Sequence, residues 1–293
     1  MTEDFEVAKT LLPPRDDKGH KTSFGSLLVV AGSEFMTGAA VLTVSSALRS
    51  GVGIVRFLST EKALDPVRIN CPCALTSSYE ASENLLRTAA DLLSKSTAAV
   101  IGPGLDASDP RNTEILLFLI ENCDKLLIDA SAHTILAHLG CSVLDIRREK
   151  GLSPVILTPH VGEFKRLSKE HISLDYDRFR EDEISIATKA FCAGTGAVLV
   201  LKNHNTMVTA PDGKCYYMNG DNSGMAKGGS GDVLAGLTGG LLASGLDPVD
   251  AARAGVLIHI RAGKIASSDK TKIFMLPTDV IETLPQVYKE LGW

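Results

Sequence analysis

Short apolar runs rich in β-branched residues alternate with amphipathic stretches along most of the chain, and no other feature restricts the fold as much. The runs fall at 26–31, 53–58, 98–101, 125–128, 155–157 and 198–201. Near-continuous apolar character of this kind belongs to strands buried on both faces, as in parallel sheets. Helical spacing is seen at 38–50, 83–93, 113–122 and 181–193, and parallel neighbours need such crossovers. The expected fold is therefore α/β, a central mostly parallel sheet with helices on both faces. Residues 206–210, the turn Pro211-Asp212-Gly213 and residues 214–218 read as a hairpin. The remainder reads as helices at 232–243 and 248–267. No proline- or serine-rich linker, repeat or low-complexity tract interrupts the pattern, so one domain over 1–293 is expected.

Composition limits the functional classes. A chain of 293 residues with 44% apolar and 22% charged residues has the balance of a globular protein able to bury a large core. A net charge of −5 gives no sign of a nucleic-acid partner. No apolar run approaches the roughly 20 residues of a membrane helix, so no membrane partner is expected. Cysteines 71, 73, 123, 141, 192 and 215 lack paired CxxC spacing, and the N-terminus is not signal-like. Reduced core thiols and a cytoplasmic location are expected.

The segment 219–236, NGDNSGMAKGGSGDVLAG, carries the strongest chemical signal. Glycines at 228, 229 and 231 let successive N–H groups converge, and the helix that follows adds its positive end, forming a cradle for a phosphate. Asp232 directly follows. A carboxylate would repel a phosphate at close range, but it suits a base that takes a proton from a hydroxyl while the N–H groups steady a moving phosphoryl group. Asp232 could alternatively be a helix N-cap within a glycine-rich turn.

Ligands of open parallel sheets collect at the carboxyl ends of strands, and four such ends carry suggestive residues. After the first strand, Gly32-Ser33 and Met36-Thr37-Gly38-Ala39-Ala40 are small enough either to admit a flat ligand or to let a helix pack closely on the sheet. After the third, Gly102-Pro103-Gly104-Leu105-Asp106-Ala107 matches G-x-G-x-x-A, but Ser108-Asp109-Pro110 starts the helix several residues later than a dinucleotide fold requires. These glycines read as a loop under which a ligand passes. The fifth strand leads to Thr158-Pro159-His160-Val161-Gly162-Glu163, where His160 and Glu163 can reach one cleft. His160 suits either a structural hydrogen bond or a functional contact. Glu163 suits either a first-turn acid or a magnesium ligand acting through water. The sixth strand ends in Lys202-Asn203-His204-Asn205-Thr206, a lysine within reach of a phosphate or a solvated hairpin edge. The pattern G-x-x-x-x-G-K-[ST] is absent from the sequence, which excludes a Walker-type nucleotide site.

Six motifs, in this order, resemble the ATP- or ADP-dependent NAD(P)H-hydrate dehydratases of the ribokinase-like superfamily. They are KGHKTSFGSLLVVAGS (18–33), MTGAAVL (36–42), VIGPGL (100–105), ILTPHVGEFKRL (156–167), VLKNHNTMVTAPDG (200–213) and GMAKGGSGDVLAG (224–236). The resemblance implies a repair enzyme acting on the S epimer of hydrated NADH or NADPH. The ring hydroxyl is phosphorylated at the expense of ATP or ADP, and loss of phosphate restores the dinucleotide. Asp232 would be the catalytic base. Ala40, Gly104, His160 and Asp232 would contact the hydrated dinucleotide. Lys202, Asn203, His204, Asn205 and Thr206 would line the ATP or ADP, with Gly229, Ser230 and Gly231 as the anion hole, Glu163 as the magnesium contact and a homotetramer as the assembly. Three positions depart from the family pattern: Asn203 stands where glycine is usual, Asp129-Ala130-Ser131-Ala132-His133 replaces Asp-Ala-Asp-Ala-Leu, and the late His-Gly pair reads His259-Ile260, so that His259 is expected to serve packing. The stretch before Lys18 is too short for an epimerase domain, so a stand-alone dehydratase unit is expected.

Three other functions share parts of this pattern. A vitamin-precursor kinase of the same superfamily would use the same cradle and aspartate, but such kinases resemble Thr-Pro-Asn where this chain has Thr158-Pro159-His160. An NAD-dependent oxidoreductase would rest on 102–107 and need no phosphoryl donor. A binding protein without turnover would tolerate loss of Asp232.

Overall fold

A computed structural model describes residues 3–80, 84–169 and 181–293. Among the described residues nine strands form one sheet, β1 (Ser26–Val30), β2 (Ile54–Ser59), β3 (Leu75–Ser78), β4 (Ala98–Ile101), β5 (Leu126–Ile128), β6 (Ile156–Leu157), β7 (Val198–Leu201), β8 (Asn205–Thr209) and β9 (Cys215–Asn219). Their order is β3-β2-β1-β4-β5-β6-β7-β8-β9. The first seven are parallel, while β8 and β9 fold back antiparallel as a hairpin whose turn is closed by Gly213 N–H to the Ala210 carbonyl, 2.9 Å.

All six expected strands are present within a residue or two of their expected ends. The edge strand β3 has no counterpart in the sequence reading. Its sequence, Leu-Thr-Ser-Ser, is only partly buried, so the apolar run that marks the central strands is missing there.

Alternate residues of the central strands serve opposite cores. Leu27, Val29, Val100 and Leu127 belong to one apolar cluster, and Leu28, Val30, Ile101 and Ile128 to the other. Twelve helices are seen among the described residues, α1 (Glu6–Leu11), α2 (Thr37–Leu48), α3 (Glu61–Asn70), α4 (Leu85–Leu93), α5 (Pro110–Asn122), α6 (Ser131–Leu139), α7 (Asp145–Glu149), α8 (Val161–Leu167), α9 (Glu181–Thr195), α10 (Ser230–Ala243), α11 (Pro248–Phe274) and α12 (Pro277–Glu290). The first residues of the stretch expected at 83–93 lie partly outside the described residues. As the capping signal implied, α5 begins at Pro110, with the Asp109 carboxylate accepting the Arg111 N–H at 3.0 Å. No described helix is long and apolar enough to cross a membrane.

The strand order reverses direction between β1 and β4, and the loops that follow these strands meet there, Gly32 N–H donating to the Pro103 carbonyl at 2.7 Å. Such a switch point opens a crevice at the carboxyl ends of the strands. Helix α10 lies under that crevice and is buried on every side from Val233 to Ala243. Its glycines make this possible. An added Cβ would stand 2.0 Å from the Thr43 carbonyl oxygen at Gly236, 2.1 Å from Val100 at Gly239 and 1.9 Å from the Ser50 hydroxyl at Gly240. Side chains there would lift α10 away from α2 and the sheet, and the cradle at its N-terminus with it.

Glycine-to-alanine changes in helices ordinarily stabilise by up to about 1 kcal/mol. At Gly236 the clash is with backbone, so overpacking decides the sign, and Gly236→Ala should destabilise by roughly 1–3 kcal/mol. Gly38 in α2 meets nothing within 4 Å, and Gly38→Ala should be neutral or stabilising. Denaturant unfolding of the two variants checks both signs.

Candidate active site

The loop before α10 is held open by its neighbours. Lys227 Nζ donates to the Ile273 and Met275 carbonyls at 2.8 and 2.6 Å, tying the loop to the end of α11. Gly229 is left-handed, with φ 100°, and a Cβ there would stand 2.5 Å from Leu42 and 3.2 Å from Pro277. The Ser230 N–H closes a turn on the Lys227 carbonyl at 3.2 Å. Gly231 and Asp232 follow in the first helical turn, where N–H groups have no acceptor inside the helix. No side chain caps this terminus. The alternative of Asp232 as N-cap is thereby set aside, since Gly229 holds that position and Asp232 lies three residues inside.

Beside the cradle, β5, β6 and β7 deliver a charged cluster. Lys202, at the end of β7, donates to Asp129 Oδ1 at 2.8 Å, and Thr158 Oγ1 donates to the same oxygen at 2.6 Å. Asp129 is 1% exposed, and its Oδ2 has no partner. The reading of Lys202 as a solvated hairpin edge is corrected: its side chain is only 22% exposed, and its N–H binds the Pro159 carbonyl next to His160. A Cβ on residue 231 would lie 3.2 Å from the Lys202 ammonium, so glycine there keeps lysine and cradle together.

Burial pushes the Asp232 carboxyl up, to about 7, with the Asp129 carboxylate adding to the rise and Lys202 opposing it. Burial alone would lower Lys202, but Asp129, through its charge and its hydrogen bond, together with Glu163 and Asp232 holds it above its ordinary value. Asp232 thus sits in the range where a carboxylate can accept a proton near neutral pH. His259, on α11, is driven down to about 4 by burial and then by the Lys202 charge, against a contact with the Ser230 backbone. It is 9% exposed, its Nε2 lacks a partner, and it packs under the cradle.

His160 and Glu163 form a reciprocal cap on α8. The His160 N–H donates to Glu163 Oε2 at 2.9 Å, and the Glu163 N–H donates to His160 Nδ1 at 3.2 Å. A backbone N–H can only donate, so His160 Nδ1 is the acceptor and its ring proton is on Nε2. Burial pushes Glu163 up, but His133, then Lys202 and the His160 N–H, outweigh it and bring it down to about 2. The Glu163 carboxylate is therefore ionised at working pH, while already committed to the helix cap. His133, fully buried on α6, approaches Glu163 Oε2 at 3.5 Å.

The remaining expected residues lie around this centre. Gly104, left-handed with φ 65°, faces Ala39 and Met36 across the β1–β4 crevice. Ala40 is fully buried beneath Gly32 and offers no surface to a ligand, so it shapes the crevice wall. Asn203, His204 and Asn205 line a separate cavity of about 370 Å³ together with Leu201, Met207 and Tyr217. Asn203, standing where the family pattern has glycine, turns its side-chain oxygen onto the His204 N–H at 2.8 Å, and Thr206 closes the loop on the Asn203 carbonyl at 3.1 Å. A cavity of about 680 Å³ between residues 3–6 and α11 opens beside the end of β9, at Met218 and Asn219, and there Arg261 is paired with Glu290. Among the described residues no three His, Cys, Asp or Glu side chains converge as a metal cluster. His133 and the Asp129–Lys202 pair went unread in the sequence. Their position just after strands β5 and β7 was the available signal.

Residues 27–286 match the family model of the NAD(P)H-hydrate dehydratases. The chain belongs to this family. Over 293 residues it is 32% identical to the bifunctional NAD(P)H-hydrate repair enzyme of Moorella thermoacetica, covering 97% of this chain and 53% of that one. It is 30% identical over 284 residues to the ADP-dependent (S)-NAD(P)H-hydrate dehydratase of Bacillus subtilis, covering 97% and 96%. A crystal structure of the ADP/ATP-dependent NAD(P)H-hydrate dehydratase of Bacillus subtilis, co-crystallised with ATP and magnesium, superposes with a TM-score of 0.81 at 28% identity, covering 98% and 97%. The chain spans about half the length of the bifunctional relatives it matches and between 80% and 96% of the ADP-dependent ones. Membership in the dehydratase family makes the oxidoreductase reading of 102–107 untenable, and the loop geometry agrees, since α5 starts at Pro110, beyond the glycines.

The raised Asp232 pKa has a consequence for stability. An unfolded Asp titrates near 4, so stability falls as pH rises from about 4 to 7 and stays low above. Asp232→Asn removes this penalty. The variant should melt higher than the wild type at pH 8, with the difference shrinking toward pH 4, and calorimetry at several pH values checks it.

Proposed function

We propose that the chain catalyses nucleotide-dependent dehydration of (S)-NADH-hydrate or (S)-NADPH-hydrate, with ADP or ATP as phosphoryl donor. The observation that carries this reading is a half-buried carboxylate poised near neutrality, Asp232, in the first turn of a helix whose preceding loop is a glycine cradle beside a buried lysine.

Asp232 takes the proton from the ring hydroxyl as its oxygen attacks the terminal phosphorus of the donor. Gly229 and Gly231 receive the transferring phosphoryl through their N–H groups, with Ser230 between them holding the turn on the Lys227 carbonyl, and Lys202 adds a fixed positive charge, which Asp129 keeps aimed from behind. The C–O bond to the phosphorylated oxygen then breaks, phosphate leaves with that oxygen, the adjacent ring carbon gives up a proton to solvent, and the nicotinamide double bond is restored. His160, whose side chain is 58% exposed and whose Nε2 stands 3.7 Å from Glu163 Oε1, would meet the hydrated dinucleotide with its ring edge, with Gly104 on the crevice side. The cavity beside Asn203, His204 and Asn205 would take part of the donor nucleotide.

The donor set suits magnesium shared with substrate phosphates, since such ions keep most of their waters and take one or two carboxylates. Glu163, held ionised, would hold it through water, and Asp129 Oδ2, buried without a partner, is a second carboxylate oxygen not committed elsewhere. When bound, magnesium neutralises charge on the donor phosphates. The six free cysteines support a reducing, cytoplasmic setting. The exposed Phe35, Ile273 and Phe274 support a homo-oligomer, the expected tetramer among the options.

Recovery of the 340 nm absorbance of the reduced ring should require both nucleotide and magnesium, and recovery without any nucleotide would reject phosphorylation. Asp232→Asn should retain nucleotide binding in calorimetry while turnover falls by about 10²–10⁴-fold. The wild-type kcat should drop as pH falls through about 7, because only the ionised carboxylate accepts the proton.

A further inference from the structure

The turn between β5 and α6 is strained. Ala130 has φ 49° and ψ −120°, a conformation an L-residue with a Cβ avoids. Strain of this kind persists only where the surroundings enforce it, and here the turn places two polar side chains on one side of the site. Asp129, just before Ala130, receives Lys202 and Thr158. His133, three residues after it, stands behind Glu163, its backbone fixed by N–H donation to the Ala130 carbonyl at 2.9 Å.

His133 is an unusual core residue. It is 1% exposed, both ring nitrogens lack a partner of good hydrogen-bond geometry, and Glu163 Oε2 stands 3.5 Å from Nδ1. An apolar side chain would fill the same volume without burying two polar atoms. Imidazole at this place makes physical sense through what it does to the carboxylate. An ionised carboxylate only accepts, so Nδ1 must turn a proton toward Oε2. Oε2 is also the atom that accepts the His160 N–H, and the Glu163 N–H in turn holds His160 Nδ1. Residue 162 completes the arrangement, since a Cβ on Gly162 would press on the His160 ring at 3.0 Å. Contacts therefore run from the buried His133 ring to Glu163 Oε2, which also holds the His160 backbone N–H, while the other carboxylate oxygen, Oε1, stands 3.7 Å from Nε2 of the exposed His160 ring.

We propose that His133 is a positioning residue, pinning Glu163 from behind and so fixing the tautomer and direction of the His160 ring that receives the hydrated dinucleotide. The proposal rests on the dehydratase reading for its substrate and on geometry alone for the positioning. His133 touches neither substrate nor nucleotide. Its influence falls on the dinucleotide side of the site, while the cradle and Lys202 are held by other contacts.

The test compares wild type with His133→Leu and His133→Asn, the latter placing an amide N–H close to where Nδ1 stands. In His133→Leu, KM for the hydrated dinucleotide should rise about 5–20-fold, with the affinity for ADP and magnesium within about twofold of wild type. His133→Asn should recover most of the loss. Nitrogen-15 spectra of the ligand-free protein give a readout independent of turnover: His160 should show a fixed Nε2–H tautomer in wild type and His133→Asn, and tautomer averaging in His133→Leu. Unchanged KM and an unchanged His160 signature in a folded His133→Leu would overturn the proposal, as would equal losses for both substrates that asparagine does not rescue. A wild type without turnover would reject the dehydratase reading, and the His160 spectra would still decide the positioning.

Discussion

The bond from Lys202 to Asp129 is the interaction on which the rest of the site depends. An ammonium and a carboxylate meet where strands β5 and β7 end, with Thr158 from the strand between them closing on the same oxygen. A buried pair of this kind is weak evidence of stability, because desolvation offsets most of its attraction, but removing one partner leaves the other charge exposed to a poor solvent. Its value here is organisational. Lys202 carries one positive charge among Asp129, Glu163 and Asp232, and only Asp129 bonds it directly. Glu163 gains further support from His133 and the His160 N–H, whereas Asp232 has only the distant pull of Lys202 against burial and the repulsion of Asp129. Two nearby carboxyl groups are thereby driven in opposite directions, Glu163 to a permanently ionised support and Asp232 to a group that can gain and lose a proton near neutral pH.

The cradle depends on packing as much as on charge. A helix with glycine at 236, 239 and 240 has poor intrinsic propensity, yet α10 is buried throughout because those glycines admit the Thr43 carbonyl, Val100 and the Ser50 hydroxyl. Close approach to both α2 and the sheet brings the helix N-terminus to the reversal of strand order between β1 and β4. Gly32, Gly102 and Gly104 on the facing loops, each with a positive φ, let those loops settle against Ala40, the Asp129 carbonyl and Ala39. Glycine thus serves two purposes in one region, bringing the helix in and keeping side chains out.

Those features that are local in sequence were legible in it. The glycine run and Asp232 form one continuous segment, the central strands announce themselves by apolar continuity, and the cap at Asp109-Pro110 exposed the false dinucleotide match at 102–107. Relations between distant segments were not legible. Lys202 looks like an edge lysine because the hairpin follows it, and only the sheet register places it beside Pro159 and above Asp129. Ala40 belongs to a motif, but it faces inward because α2 presses it under Gly32. The edge strand β3 was missed because it contributes little to either core.

His133 shows the physical reason for such misses most clearly. In a helix opening with Ser-Ala-His-Thr, one histidine carries no periodic signal, and the departure of this stretch from the family pattern points away from any role beyond that of Asp129. Its significance comes from the strained Ala130 turn, which rotates α6 so that the ring faces another helix cap, 30 residues along the chain. The same carboxylate oxygen that completes the cap on α8 faces this ring, so the local capping signature at His160 and Glu163 is half of a tertiary arrangement. Glu163 appears in sequence as a first-turn acid answering the helix dipole. In the folded chain the same acid is ordered from two sides, since the helix cap fixes one oxygen on the His160 N–H while His133 and Lys202 add their pull, so that a local capping role holds an ionised carboxylate inside the fold.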